Sequence, residues 1–130
     1  MGMSRKEIIA LVLVLLATVG AVAGIWGLES YRRSHLFTAE LIAREPEYGS
    51  WYPQTITVPY GSDVKLLIRN ISGVSHGFAL PDFRVAVKEI KAGETAVIQF
   101  TADKKGTFTF HCTVWCSDRH LGMSGNLVVQ

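Results

Sequence analysis

The sequence predicts a small all-β sandwich with Greek-key connections, carried on one N-terminal helix that spans a membrane. Three observations predict it. Residues 8–28 form an unbroken apolar run without a charge. From about residue 36 onward the pattern changes to short segments of period two separated by turn residues, and no helical period of useful length returns. The chain has 130 residues, which is room for one compact domain and a short appendage. The expected division is residues 1–35 as anchor and collar and residues 36–130 as the folded domain.

The anchor comes first. A helix over residues 8–28 is long enough to cross a hydrocarbon core about 30 Å thick, with Trp26 and Tyr31 at the far interface, where amphipathic rings are favoured. A cleaved signal peptide competes with this reading, because Ala21-Val22-Ala23 before Gly24 fits a cleavage site. The apolar run continues through Ile25, Trp26 and Leu28 beyond that point, which favours a retained span. Arg5 and Lys6 flank it on one side and Arg32 and Arg33 on the other, so charge alone does not orient it. Residues 29–34 read as a polar collar, and His35 as part of that linker.

The strands follow in order. Residues 38–44 are the first candidate. Ile56 and Val58 alternate with threonines, and residues 59–63 turn the chain. Val64, Leu66 and Ile68 alternate with Lys65, Leu67 and Arg69, which puts the first set inside. Residues 70–73 turn again. Shorter strands are expected over 77–80 and 85–88, and longer ones over 96–101 and 107–112, with 102–106 between them. Residues 127–129 close the sandwich. Seven or eight strands of this kind imply antiparallel pairing.

Composition excludes some functions. The 48% hydrophobic content is concentrated in the anchor, and the net charge of +2 comes from its flanking residues. Residues 36–130 carry as many acids as bases, so no basic stripe for nucleic acid exists. Two cysteines are too few for a disulfide-built scaffold and read as a local device.

That device is the stretch holding Cys112, Cys116, His120 and Met123. Thiolate and thioether together favour copper over hard cations, whereas zinc gains little from a methionine. His76 lies at another strand junction, and in a sandwich such junctions cluster at the ends. A mononuclear blue-copper site needs one cysteine, two histidines and a weak axial ligand. A second cysteine four positions on lets both sulfurs face one space and bridge two metal ions, each with one histidine. Met123 would be a weak ligand on one side, and a backbone carbonyl between Cys112 and Cys116 on the other.

The pattern Cys-x-x-x-Cys-x-x-x-His-x-x-Met with an upstream His-Gly-Phe resembles the CuA domain of cytochrome c oxidase subunit II, in the cupredoxin superfamily. The similarity continues through Pro53, residues 56–61, residues 74–78, Ala92-Gly93-Glu94, residues 105–108 and residues 125–129, so it covers nearly all of 53–130 in order. The single helix resembles the compact form of that subunit. The resemblance implies a cupredoxin Greek-key sandwich with Cys112 and Cys116 as bridging thiolates, His76 and His120 as terminal ligands, Met123 as the weak axial ligand and Val114 as donor of the carbonyl. It implies two copper ions sharing one electron. Electrons would come from a soluble carrier, such as cytochrome c or a small blue-copper protein, and pass to the haem-bearing subunit I of a haem-copper oxidase or to a related reductase subunit. The copper domain then belongs on the periplasmic or extracellular side of the cell membrane, with the N-terminus in the cytoplasm. Three departures stand out: Ser117 where the family often has glycine, Val114 where a polar or acidic side chain is common, and a neutral domain without an acidic docking face.

Plainer readings exist for each residue. Cys112 and Cys116 could form a disulfide, which leaves the spacing of His120 and Met123 unexplained. Copper delivery or storage, a mononuclear blue-copper site and a purely structural module are the rival functions. His111 sits beside Cys112 like the second-site histidine of multicopper proteins, but strand parity places it with Thr107 and Thr109, opposite Cys112. Trp115 reads as a shield for the site, with a place in the electron path as the alternative, and Asp118 and Arg119 as solvated loop charges or a subunit contact, while Tyr48, Trp51 and Tyr52 read as a covering for the sandwich edge or, with Trp115, as an apolar docking face.

Overall fold

The structure is a computed structural model that describes residues 2–130. It divides into two compact units at His35 and Leu36.

The first unit is the helix α1, Arg5–His35. Its start is a reciprocal cap, with Ser4 N–H donating to Glu7 Oε2 at 2.7 Å and Glu7 N–H donating to Ser4 Oγ at 3.3 Å. Its most apolar 18-residue window has a mean hydropathy of 2.8, so the helix is long and apolar enough to cross a membrane. The expected collar is not a break, because α1 runs through residues 29–34. Arg33 Nε donates to Glu29 Oε1 at 2.8 Å, one helical turn away, and that spacing supports helix rather than linker. His35 closes the last turn, with its ring 4.3 Å from that of Tyr31.

The second unit has nine strands: β1 Leu36–Ala43, β2 Trp51–Tyr52, β3 Thr55–Val58, β4 Asp63–Asn70, β5 His76–Leu80, β6 Val85–Ile90, β7 Thr95–Thr101, β8 Gly106–His111 and β9 Ser124–Val129. They form two sheets, one in the order β2-β1-β4-β7 and the other β3-β9-β8-β5-β6. The alternation expected of β4 holds, with Val64, Leu66 and Ile68 buried and Arg69 exposed. Pairing is mixed, not antiparallel throughout. β1 runs parallel to β4, and β3 runs parallel to β9. Between β1 and β4 the chain crosses to the facing sheet to make β3, then returns in its original sense. Local period-two patterns carry no information about that sense.

The core between the sheets contains a three-ring cluster. Trp51 meets Phe78 at 5.8 Å and Phe110 at 6.0 Å, both nearly edge to face. Trp51 is therefore core, only 1% exposed, and not part of an outer covering; Tyr48 and Tyr52 do remain exposed. A two-residue strand carries no periodic signal, which is why this tryptophan reads from sequence as surface.

Gly125 is required where β9 passes that cluster. A Cβ on it would stand 2.5 Å from Phe110 Cζ and 2.7 Å from the Gln54 carbonyl oxygen, which accepts the Asn126 N–H that registers β3 against β9. Gly125→Ala should cost about 3 kcal/mol, near the upper end for overpacking, in urea unfolding of the detergent-solubilised chain followed by tryptophan fluorescence. Gly73→Ala, where nothing lies within 4 Å, should change stability by under about 0.5 kcal/mol. Equal stability of the two variants would refute this account of the Gly125 site.

Candidate metal centre

The segment from Cys112 to Met123 joins β8 to β9, and its two ends are tied together. Cys112 N–H donates to the Met123 carbonyl at 3.0 Å, and Trp51 Nε1–H donates to the same oxygen at 3.2 Å. The strand parity of β8 sets the direction of the first sulfur: Phe110 and Cys112 are buried, while His111 is exposed on the other face. Within the loop, Ser117 Oγ accepts the Arg119 N–H at 3.1 Å and the Ser117 carbonyl accepts the His120 N–H at 3.0 Å. Ser117, one of the departures from the resembled pattern, thus builds the turn that leads into the short 3-10 helix His120–Gly122.

His76 opens β5 and is fully buried. The glycine after it lets the Cys112 loop lie close. A Cβ on Gly77 would collide with Thr113 Oγ1 and reach Val114 Cγ2 at 3.1 Å.

These placements bring the expected ligands together. The donor atoms of His76, Cys112 and Cys116 lie within 4.8 Å of one another. Cys112 Sγ is 3.8 Å from His76 Nδ1 and donates to the Val114 carbonyl at 3.3 Å. Cys116 Sγ is 3.5 Å from His120 Nδ1 and donates to Met123 Sδ at 3.6 Å. Each thiol therefore has one imidazole nitrogen and one weak donor beside it. Cys112, Cys116 and Met123 are buried, and the two sulfurs are free thiols. His120 is half-buried beneath Trp115, whose ring is 5.9 Å away and whose side chain is 68% exposed. Trp115 thus leaves most of its own surface in solvent while its ring lies beside His120.

Several contributors were not visible as site residues in the sequence: Trp51, which holds the Met123 carbonyl, Gly77, which admits the loop, and Asn70 with Ser72. Ser72 Oγ lies 2.7 Å from His76 Nε2 and 2.8 Å from Asn70 Oδ1, all three residues being buried. Asn70 and Ser72 read from sequence as turn residues, and only the fold shows that the turn faces His76. Glu45 Oε1 accepts the Gly73 N–H at 3.3 Å and ties the segment after β1 to the same turn.

Two thiols, a thioether and two imidazoles, most of them dry, make a soft donor set that suits copper better than a hard cation, and Met123 gives zinc little reason to prefer the site. Burial acts on the donors themselves. Loss of water pushes the His76 pKa below its ordinary value, a shift that Glu45 opposes and His120 reinforces. Burial, with the neighbouring Cys112, pushes the Cys116 thiol up to about 12.

Comparison with known proteins gives three findings. A family model described as a cupredoxin-like domain matches residues 12–129. A nitrous-oxide reductase of Cupriavidus necator is 29% identical over 103 residues, which is 77% of this chain and 15% of the reductase, so the chain spans a small part of that relative's length. Two solved structures share the fold. The periplasmic domain of subunit II of cytochrome oxidase from Bradyrhizobium japonicum superposes with a TM-score of 0.60 at 22% identity, covering 72% of this chain and 83% of that one. A chain of a heme-copper terminal oxidase dimer, solved by cryo-EM, gives 0.63 at 18% identity over 98% of this chain and 100% of its own.

The pKa shifts fix a pH dependence. The Cys116 thiol keeps its proton through the neutral range, and a soft ion must expel that proton to bind. Apparent copper(I) affinity should therefore rise about tenfold per pH unit between about pH 6 and 8 through this group alone, measured by chelator competition. A pH-independent affinity would count against Cys116 as a ligand. In the metal-free reduced chain, the raised thiol pKa contributes stability that is fully present below the ordinary value of 9.0 and lost as pH rises towards about 12. The lowered His76 pKa contributes stability that is present above the ordinary value of 6.5 and lost as pH falls below it. Unfolding measured against pH should show both flanks.

Proposed function

The chain belongs to the cupredoxin-like domain family, and we propose that it is an electron-transfer subunit holding a binuclear CuA centre. The observation that carries this reading is the second thiol. Cys116 is buried beside Cys112 and His76, and it has His120 and Met123 against its own sulfur. A mononuclear blue-copper site uses one cysteine; here both sulfurs face one space, and each has a separate nitrogen and a separate weak donor.

In this reading His76, Cys112, the Val114 carbonyl, Cys116, His120 and Met123 hold two copper ions. When bound, the copper pair supplies one-electron exchange. The residues supply everything else: a dry cage, a loop closed at both ends on the Met123 carbonyl, and aromatic packing that resists displacement of the sulfurs. In this reading both thiols are taken up as ligands, and bond-making chemistry belongs to a partner.

That partner is the haem-bearing subunit I of a haem-copper oxidase or a related reductase subunit, and the donor is a soluble carrier such as cytochrome c or a small blue-copper protein. The likeness to an oxidase subunit II domain and to a chain of a heme-copper oxidase supports this assignment, as does the sequence likeness to a nitrous-oxide reductase. Residues 1–35 serve as the anchor, with α1 crossing the cell membrane and the N-terminus in the cytoplasm, and residues 36–130 serve as the copper domain on the outer side.

Copper loading of the detergent-solubilised chain, followed by stoichiometry and electron paramagnetic resonance, tests the centre. Two ions per chain with hyperfine coupling to both nuclei are expected, and Cys116→Ser should abolish that shared spectrum. One ion with single-nucleus coupling, unchanged in Cys116→Ser, would return the protein to the mononuclear reading.

A further inference from the structure

Behind His76 lies a small buried network whose hydrogen-bond arithmetic has one solution. The Asn70 amide nitrogen faces two oxygens that can only accept, the Val74 carbonyl at 2.7 Å and the Ile90 carbonyl at 2.9 Å. This fixes the amide, and Asn70 Oδ1 must then point to Ser72, where it accepts the Ser72 N–H at 2.9 Å and lies 2.8 Å from Ser72 Oγ. Ser72 Oγ therefore has two acceptors close by, Asn70 Oδ1 and the Val74 carbonyl at 3.1 Å, and only one proton to give. Besides the Val74 N–H, which donates to it at 3.5 Å, its remaining neighbour is His76 Nε2 at 2.7 Å, which has to be a donor as well. The opposite assignment would set two lone pairs against each other at 2.8 Å, too close for anything to come between them.

We propose that Asn70 and Ser72 are positioning residues that hold His76 as its Nε2–H tautomer before any metal arrives, leaving the Nδ1 lone pair facing the Cys112 sulfur; this deepens the copper reading and rests on His76 being a ligand. A neutral imidazole has one donor and one acceptor nitrogen, and the partner of the first decides which nitrogen is free for a metal. The buried hydroxyl here makes that choice. It also fixes the ring plane, since a flipped ring would place the nitrogen lone pair or a carbon against Ser72 Oγ.

The network reaches both sheets. Asn70 is the last residue of β4, and its amide bonds the Ile90 carbonyl at the end of β6. Its backbone N–H donates to the Glu94 carbonyl at 2.9 Å, and its own carbonyl accepts the Gly93 N–H at 3.1 Å. The tautomer of His76 is thus referenced to the sandwich rather than to the mobile end of a side chain. Among the described residues His120 has no such backing: its Nδ1 meets Cys116, and its ring lies against the exposed Trp115. The two histidines are unequal, one set in advance by the fold and the other oriented from the solvent side.

The test is nitrogen-15 NMR of the metal-free, reduced, detergent-solubilised chain, reading the two ring nitrogens of His76. The wild type should show a protonated Nε2 whose proton exchanges slowly, and an unprotonated Nδ1. Ser72→Ala should lose the slow exchange and populate the other tautomer, and Ser72→Thr should restore the wild-type pattern. In copper titration against a chelator, Ser72→Ala should bind about ten- to a hundredfold more weakly. An Nδ1–H ring in the wild type, or an unchanged tautomer and exchange rate in a folded Ser72→Ala, overturns the proposal. If that variant does not fold, the wild-type spectrum decides alone. The ring signals need no copper, so a chain with the expected tautomer that binds no copper would sink the metal centre and leave the role of Asn70 and Ser72 standing. Copper bound at His76 in a chain whose free ring is Nδ1–H would do the reverse.

Discussion

The double acceptance at the Met123 carbonyl is the contact on which the site depends. One oxygen takes the N–H of Cys112 and the indole N–H of Trp51, at 3.0 and 3.2 Å. The first bond closes the Cys112–Met123 loop into a ring with the sulfurs inside. The second ties that ring to the aromatic cluster of Trp51, Phe78 and Phe110 in the middle of the sandwich. A buried indole N–H needs an acceptor, and a loop carbonyl taken from water needs a donor. Each requirement is met by the other. Placement of Cys112, Cys116 and Met123 thereby becomes a property of the core, not of a surface loop.

How much of this was legible in the sequence follows from the range of each interaction. β4 was plain because Val64, Leu66 and Ile68 repeat on one face, a local signal. The apolar helix was plain for the same reason. His111 was placed outside by counting from Cys112, and β8 carries it on the exposed face. The parallel pairing of β1 with β4 was not legible, because strand direction is set by where the intervening chain travels. Trp51 reads as surface from the sequence because β2 is two residues long and its indole is claimed by Met123, far along the chain. Residues 29–34 were read as collar by polarity, although Glu29 and Arg33 stand at helical spacing and bond each other. Asn70 and Ser72 looked like turn formers, which they are; a turn residue shows which side chain it faces only after the strands are stacked.

The site joins parts of the chain with different degrees of constraint. His76 sits against the inner sheet surfaces with its far nitrogen bonded, and the glycine after it leaves room for Thr113 and Val114. On the other side, His120 belongs to one turn of 3-10 helix next to Leu121, which is 92% exposed, and Trp115. A centre that must keep its geometry through a change of charge benefits from the first kind of support. A centre that must exchange electrons with another protein needs an edge near solvent, and the second side is the one that has it.

The thiol contacts show what ion binding would demand of the fold. Cys112 Sγ lies 3.3 Å from the Val114 carbonyl oxygen, and Cys116 Sγ lies 3.6 Å from Met123 Sδ. The two atoms expected to be weak ligands therefore already lie against the sulfurs. Burial, which favours the protonated thiol at Cys116, would oppose binding of a soft ion, because the ion takes the thiolate. A cage whose donors are held by the core would yield little when its ion changes charge, and small reorganisation is what an electron-transfer centre requires of its protein.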